Sequence, residues 1–127
     1  LSGNQHLYFA NGANQAYLHL NGSWTNASDI AYKKDIEDIT YGIDTVKKLK
    51  PRKYKHKGTN DDDIGFIAQE IESVVPEVVS GDDGSKGVSY GNLTATLTKA
   101  LQELIAKVET LEQENKDIRN RLMNLEG

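Results

Sequence analysis

The stretch Leu97-Thr98-Lys99-Ala100-Leu101-Gln102-Glu103-Leu104, carried on through Val108, Leu111, Asn115, Ile118 and Leu122 to Leu125, decides the fold. Its apolar positions alternate four- and three-residue steps without a break, which is the signature of a heptad seam. The a positions are Leu101, Val108, Asn115 and Leu122, and the d positions are Leu97, Leu104, Leu111, Ile118 and Leu125. The flanking g and e positions pair Lys107 with Glu112, Glu114 with Arg119, and Arg121 with Glu126. Each pair is of opposite sign, at the offset used between neighbouring parallel strands. Asn115 interrupts the apolar seam, and a polar residue at a single a position fixes register at some cost in stability. A sustained seam with matched flanking charges specifies self-association over packing on the chain's own domain. Leucine at both a and d does not separate a dimer from a trimer. The predicted element is a coiled-coil helix over 92–127.

Composition agrees with burial between chains. The 127 residues suffice for one ordinary domain, yet only 37% are hydrophobic and 27% are charged. Much of the apolar content lies in the seam, so little is left for a core within one chain. The absence of cysteine excludes a disulfide framework and thiolate chemistry. A net charge of −4 disfavours nucleic acid as the main partner. No apolar run has transmembrane length and no signal peptide is visible, so no membrane is expected. The chain opens mid-pattern at Leu1 and is expected to be part of a longer one.

At the other end, two runs resemble each other at an offset of ten residues. Leu7-Tyr8-Phe9-Ala10-Asn11-Gly12 is followed by Tyr17-Leu18-His19-Leu20-Asn21-Gly22. Each is a β-prone run closed by Asn-Gly, which favours tight turns because both residues tolerate positive φ. Stacked, wound strands and a plain hairpin both fit. In either case the apolar faces are too small to stand alone. Trp24 is placed to cap an apolar end. His6 and His19 lack metal-ligand spacing, and no metal or cofactor is expected. The predicted segment is a β-rich stalk end over 1–27.

Between stalk and seam, 28–91 reads as a small helix-plus-hairpin unit. It opens on Ser28-Asp29-Ile30-Ala31-Tyr32-Lys33. Ser and Asp are ordinary helix N-caps, and by spacing alone that role explains them. Ile36, Ile39, Ile43, Val46 and Leu49 then recur at helical steps, with Gly42 dividing them and Pro51 ending them. From Lys47 to Lys57 seven of eleven residues are basic, and Asp61-Asp62-Asp63 follows, which predicts a charged hairpin with a solvated face. Ile64 to Ile71 is assigned a short helix stopped near Pro76. Val74, Val75, Val78 and Val79 form a buried corner or short strand, Gly81 to Gly84 a turn, and Val88 a further extended piece. Ser89 is the candidate N-cap of the long helix.

Laid out in this order, the residues resemble the C-terminal intramolecular chaperone domain of bacteriophage tailspikes, tail fibres and neck appendages, the self-cleaving type found in endosialidases and classed as peptidase family S74. The resemblance runs from about Ala27 to Val108. It rests on Ser28-Asp29 with Lys33, Leu49-Lys50-Pro51 leading to Tyr54, Ile64-Gly65-Phe66-Ile67-Ala68-Gln69-Glu70, Val75-Pro76-Glu77-Val78-Val79, Val88-Ser89-Tyr90, and Gln102-Glu103-Leu104. The family often carries Arg three residues after the serine, where this chain has Ala31.

The resemblance implies an α+β domain with a parallel trimeric coiled coil. It implies a homotrimer that folds the N-terminal stalk of its own polypeptide and then releases itself. The precursor would be a virion fibre or appendage assembled in the host cytoplasm. It also implies a single-turnover Ser-Lys peptidase with no activity on other substrates. Ser28 would be the nucleophile and Lys33 its base, which requires a neutral amine favoured by burial or a nearby cation. Asp29 joins this catalytic set, to orient Lys33, to cap the turn, or both. Attack in cis on the carbonyl of Ala27 passes through a five-membered ring, whereas attack of Ser28 on its own carbonyl would need a four-membered one. The scissile bond is therefore expected to be Ala27–Ser28. The alternative function is a non-cleaving trimeric fibre-tip module for assembly or host-surface binding. A coiled-coil transcription factor is disfavoured, because Asn92 to Thr96 carries no basic stripe.

Overall fold

A computed structural model describes residues 7–11 and 14–126, with side chains from Ala16 on. The opening at Leu1, His6, and Gly12 of the first Asn-Gly turn lie outside the described residues. The chain divides into two compact units, 1–38 and 39–127.

The first unit is a three-stranded antiparallel meander. Strand β1 (Leu7–Asn11) pairs with β2 (Asn14–Leu18), and β2 pairs with β3 (Trp24–Asn26). Of the two readings open from the sequence, the hairpin is the one the backbone adopts, with β3 as a strand the pattern did not show. The second Asn-Gly turn works through backbone chemistry. Gly22 sits at φ +83, its N–H donates to the His19 carbonyl at 2.9 Å, and Asn21 Oδ1 accepts from the Ser23 N–H at 3.0 Å. This is a tight turn followed by a left-handed residue, a geometry that suits glycine. Trp24 lies on β3, half exposed, with its indole N–H donating to Asn26 Oδ1.

After β3 the chain makes one 3-10 turn, Ile30–Tyr32, and then runs without regular structure to Tyr41. The helix expected through Ile36 and Ile39 is absent. Lys33 is extended at φ −120 and ψ 145, Asp35 is left-handed at φ +51, and Ile36 is 67% exposed. The helical spacing is real, but no surface within the chain buries that face, and periodicity without a partner does not hold a helix.

The second unit is built on a small core of Ile71, Val75, Val78 and Leu93, with Phe66, Val74, Val79 and Val88 among the partly buried residues around it. Helix α1 is four residues, Ile43–Val46. Strand β4 (Arg52–Lys55) pairs antiparallel with β5 (Asp62–Gly65), forming the charged hairpin foreseen from the sequence. Lys55 meets Asp62 at 3.0 Å across the strands. Arg52 forks onto Glu70, with Nη2 to Oε1 at 2.6 Å and Nε to Oε2 at 2.9 Å, which ties the hairpin to helix α2 (Ala68–Glu72). The guanidinium holds the Glu70 carboxyl below the usual range.

Ile64 and Gly65 belong to β5, so the helix expected from Ile64 begins only at Ala68. The Tyr90 hydroxyl packs where a side chain on residue 65 would sit and accepts from the Phe66 N–H at 3.0 Å. That contact favours a glycine in the strand and turns the chain into α2. Pro76 opens a 3-10 turn, Pro76–Val78, since it lacks only an N–H that a first turn leaves free. Strands β6 (Val79–Ser80) and β7 (Gly87–Val88) close a second small hairpin, and helix α3 (Tyr90–Glu126) starts directly after Ser89.

Helix α3 uses two different faces. Leu93, Thr96 and Ala100 are buried, and with Glu103 they form a stripe at three- and four-residue steps against the second unit. Leu97, Leu101, Leu104, Val108, Leu111, Ile118 and Leu122 of the seam remain about half exposed. At about 100° per residue the two stripes lie about 90° apart round the axis where they run side by side. The helix therefore packs on its own unit without using the seam. Beyond Glu103 every described residue of α3 is exposed.

Glu103 also supplies a helix cap that no local pattern signals. Its Oε2 accepts from the Ile43 N–H at 2.9 Å, satisfying a free donor of α1, while buried Gly42 leaves room for the carboxylate. A Cβ on residue 42 would occupy the carboxylate's place. Glu103→Ala is expected to cost about 1–2 kcal/mol, the worth of a charge-assisted hydrogen bond. Gly42→Ala evicts the same carboxylate, so the double variant should cost little more than the worse single one. Urea unfolding of the four proteins checks this, and simple additivity would show that the two residues do not share the cap.

Candidate functional site

The site is set by a short backbone device. Asp29 precedes the 3-10 turn in an extended conformation, φ −63 and ψ 143. Its Oδ1 accepts from the Ala31 N–H at 2.8 Å. The Asp29 carbonyl accepts from the Tyr32 N–H at 3.1 Å, and the Ile30 carbonyl from the Lys33 N–H at 3.0 Å. The chain thus folds back over five residues, and Lys33 Nζ donates to Ser28 Oγ at 2.7 Å. At that separation the proton can pass the other way once the amine is free, from the hydroxyl to the lysine.

Ala27, Ser28, Asp29 and Lys33 are all exposed in the single chain, as is every residue from Asn26 to Thr40. Among the described residues Asp29 and Lys33 form no ion pair. Neither Ala27 nor Ser28 has positive φ; among the described residues the non-glycines that do are Asp35 and Asn60. The structure therefore brings Ser28 and Lys33 together and places Asp29 as the cap of the turn between them. Ile30 is 75% exposed and Tyr32 46%, two exposed apolar side chains on the turn that joins the pair.

Residues 28–80 match the sequence model of the chaperone of endosialidase, peptidase S74. The match begins on Ser28 itself. Over this segment the chain is similar to the endosialidase-chaperone family. The chain is also similar to long tail fibre proteins Gp37 of three phages. It is 30% identical to that of Salmonella phage S16 over 106 residues, covering 74% of this chain and 14% of the relative. It is 28% identical to that of Enterobacteria phage K3 over 121 residues, covering 91% of this chain and 10% of the relative, and 28% identical to that of Enterobacteria phage T2, covering 91% and 9%. The chain thus spans about a tenth of the length of these relatives. No described helix is long and apolar enough to cross a membrane, and no described group of His, Asp or Glu is placed to hold a metal ion.

The endosialidase-chaperone segment ends near Ser80, so the seam of α3 lies beyond it. Sequence reasoning missed three of the contacts that shape this region: the Glu103 cap on α1, the Tyr90 hydroxyl against Gly65, and the Arg52 fork on Glu70. Each joins residues far apart in the chain, 60, 24 and 18 positions for the hydrogen bonds concerned, and leaves no local pattern to read.

Proposed function

We propose that this chain is an intramolecular chaperone that aligns three copies of a phage fibre, helps the preceding stalk to fold, and then releases itself by cutting the Ala27–Ser28 bond. The observation that carries the reading is the 2.7 Å contact of Lys33 Nζ with Ser28 Oγ, at the residue where the family match begins. The similarity to long tail fibre proteins supports a fibre as the client; in this reading the precursor assembles in the host cytoplasm and is destined for the virion.

The chemistry balances within the chain plus one water. Ser28 Oγ attacks the Ala27 carbonyl carbon as the hydroxyl proton passes to Lys33. Collapse of the five-membered intermediate expels the Ser28 nitrogen, which takes that proton and becomes a free amine. Ala27 is left as an ester on Ser28 Oγ, and water hydrolyses it to a carboxylate and the original hydroxyl. The amine form of lysine is needed at the first step, and burial favours it over the ammonium.

Three parallel seams bring the stalk segments together in register and raise their effective concentration. Entropy opposes register between chains until contacts form, which is why a separate assembly device is useful. Cutting it away traps the product kinetically. Mass spectrometry of a longer precursor is expected to show a released fragment with Ser28 as its N-terminus. An intact chain would return the non-cleaving fibre-tip reading, and an N-terminus at Asp29 would refute the acyl shift. Cleavage is also expected to follow assembly, because Lys33 is exposed in one chain and neighbouring chains would cover it. Weakening the seam in graded steps should lower the cleavage rate in step with the trimer fraction measured by sedimentation. Normal-rate cutting by monomers would sink that coupling.

A further inference from the structure

We propose that Asp29 is a positioning residue that acts through the backbone of the Ile30–Tyr32 turn, and that its negative charge does not act on Lys33 or Ser28. This rests on the self-cleavage reading above and assigns Asp29 a specific part in it. The geometric problem is one of distance. Five residues of extended chain span about 17 Å, too far for a lysine to reach back to a serine hydroxyl. A helical spacing would not serve either, since neighbours on a helix face lie three or four residues apart. Ser28 and Lys33 are five apart and touch at 2.7 Å.

What closes the distance is one 3-10 turn, which rises only about 2 Å per residue. A single turn has few bonds to hold it: the Tyr32 N–H to the Asp29 carbonyl and the Lys33 N–H to the Ile30 carbonyl. No residue of the turn is buried, so packing within the chain does not secure it. The remaining anchor is the Asp29 side chain, whose Oδ1 takes the Ala31 N–H at 2.8 Å. The carboxylate makes no ion pair with Lys33. Lys33 leaves the turn extended, at φ −120 and ψ 145, and its Nζ reaches Ser28 Oγ. Asp29 therefore contributes one acceptor oxygen at a fixed place, and that oxygen need not be charged.

The prediction separates acceptor from charge. Asparagine and serine are capping residues of similar quality to aspartate, and alanine is not. In the full precursor, Asp29→Asn and Asp29→Ser should restore cleavage to within about threefold of wild type, while Asp29→Ala should lower it by about five- to thirtyfold, the range expected for a lost cap. The pH at which the rate is half-maximal should be the same for Asp29→Asn as for wild type. An Asp29→Asn rate as low as that of Asp29→Ala, or a displaced pH profile, would show that the charge is used and would overturn the proposal, as would an unimpaired Asp29→Ala. Ser28→Ala run alongside keeps the two readings apart, because a wild type that stays intact, or a Ser28→Ala protein that is still cut, condemns the self-cleavage reading itself. The positioning claim then has its own readout. The amide resonances of Ala31, Tyr32 and Lys33 should move toward coil values in Asp29→Ala and hold their places in Asp29→Asn. Unmoved resonances in Asp29→Ala would overturn it whatever the cleavage result.

Discussion

Ser28→Ala is expected to abolish fragment release while leaving the assembled fibre intact. Among the described residues the hydroxyl is the one group within hydrogen-bond distance of Lys33 Nζ, and without it there is no oxygen to form the ester. The attacking atom itself is lost, so the rate should fall by at least about 10³-fold. Lys33→Met keeps the hydroxyl but removes the proton acceptor, and a loss of about 10²–10⁴-fold is expected. Neither residue lies in the seam or the core of the second unit, and both are exposed in the single chain. Trimer yield and thermal stability of the uncut variants should therefore match those of wild type held before cleavage. A time course on a denaturing gel, with sedimentation of the same samples, decides the matter. Full-rate cutting by Ser28→Ala would remove Ser28 as nucleophile, and loss of assembly would give it a structural role instead.

The seam and the Ser28–Lys33 pair differ in how readily they can be read from the residues. The seam was legible because it is local and repeated: each heptad carries the same information, and Leu97 to Leu125 repeats it several times. The Ser28–Lys33 contact was less so. A five-residue spacing matches neither helix nor strand geometry, so only the resemblance to a self-cleaving family singled the pair out. The turn that joins them depends on an Asp29 bond over two residues, and Asp at such a place reads equally as a plain cap. Ile36 and Ile39 misled for a different reason. Their spacing is helical, but a helix of that length needs a surface to bury its face, and both are exposed in the single chain. Gly65 marked a strand where a helix was expected, because the deciding contact comes from Tyr90, far along the chain.

The exposed apolar residues bear on assembly as well. Ile30, Ile36 and Ile39 lie on the segment that carries the Ser28–Lys33 pair, and they are uncovered just as the seam is uncovered. A chain with so small a core and two such surfaces is expected to gain most of its apolar burial on association. Burial of the cleavage segment's own apolar residues on assembly would couple assembly to chemistry.

Leu104→Asp with Leu111→Asp should therefore produce monomers. The two positions are successive d residues in the middle of the seam, and in the single chain they are 51% and 56% exposed. Helix α3 runs for 37 residues, about 55 Å at 1.5 Å per residue, and its first turns alone are held by the second unit. Beyond Glu103 no described residue of the helix is buried in the single chain, so other chains are expected to cover its leucines. In a trimer the double variant removes six buried leucines, worth about 1.5–3 kcal/mol each. It also places six carboxylates in a desolvated seam without partners, a further penalty. Together these exceed what three chains can recover through the flanking charge pairs, which as exposed ion pairs contribute little. The second unit should survive the change, because its own contacts with α3 use Leu93, Thr96, Ala100 and Glu103 on a different stripe. The expected result is a monomer by sedimentation equilibrium, with the far helix frayed by circular dichroism and the core of Ile71, Val75, Val78 and Leu93 still folded. A wild type that sediments as a stable monomer would refute the seam argument outright, and a double variant that remains a trimer would place the association surface elsewhere on the chain.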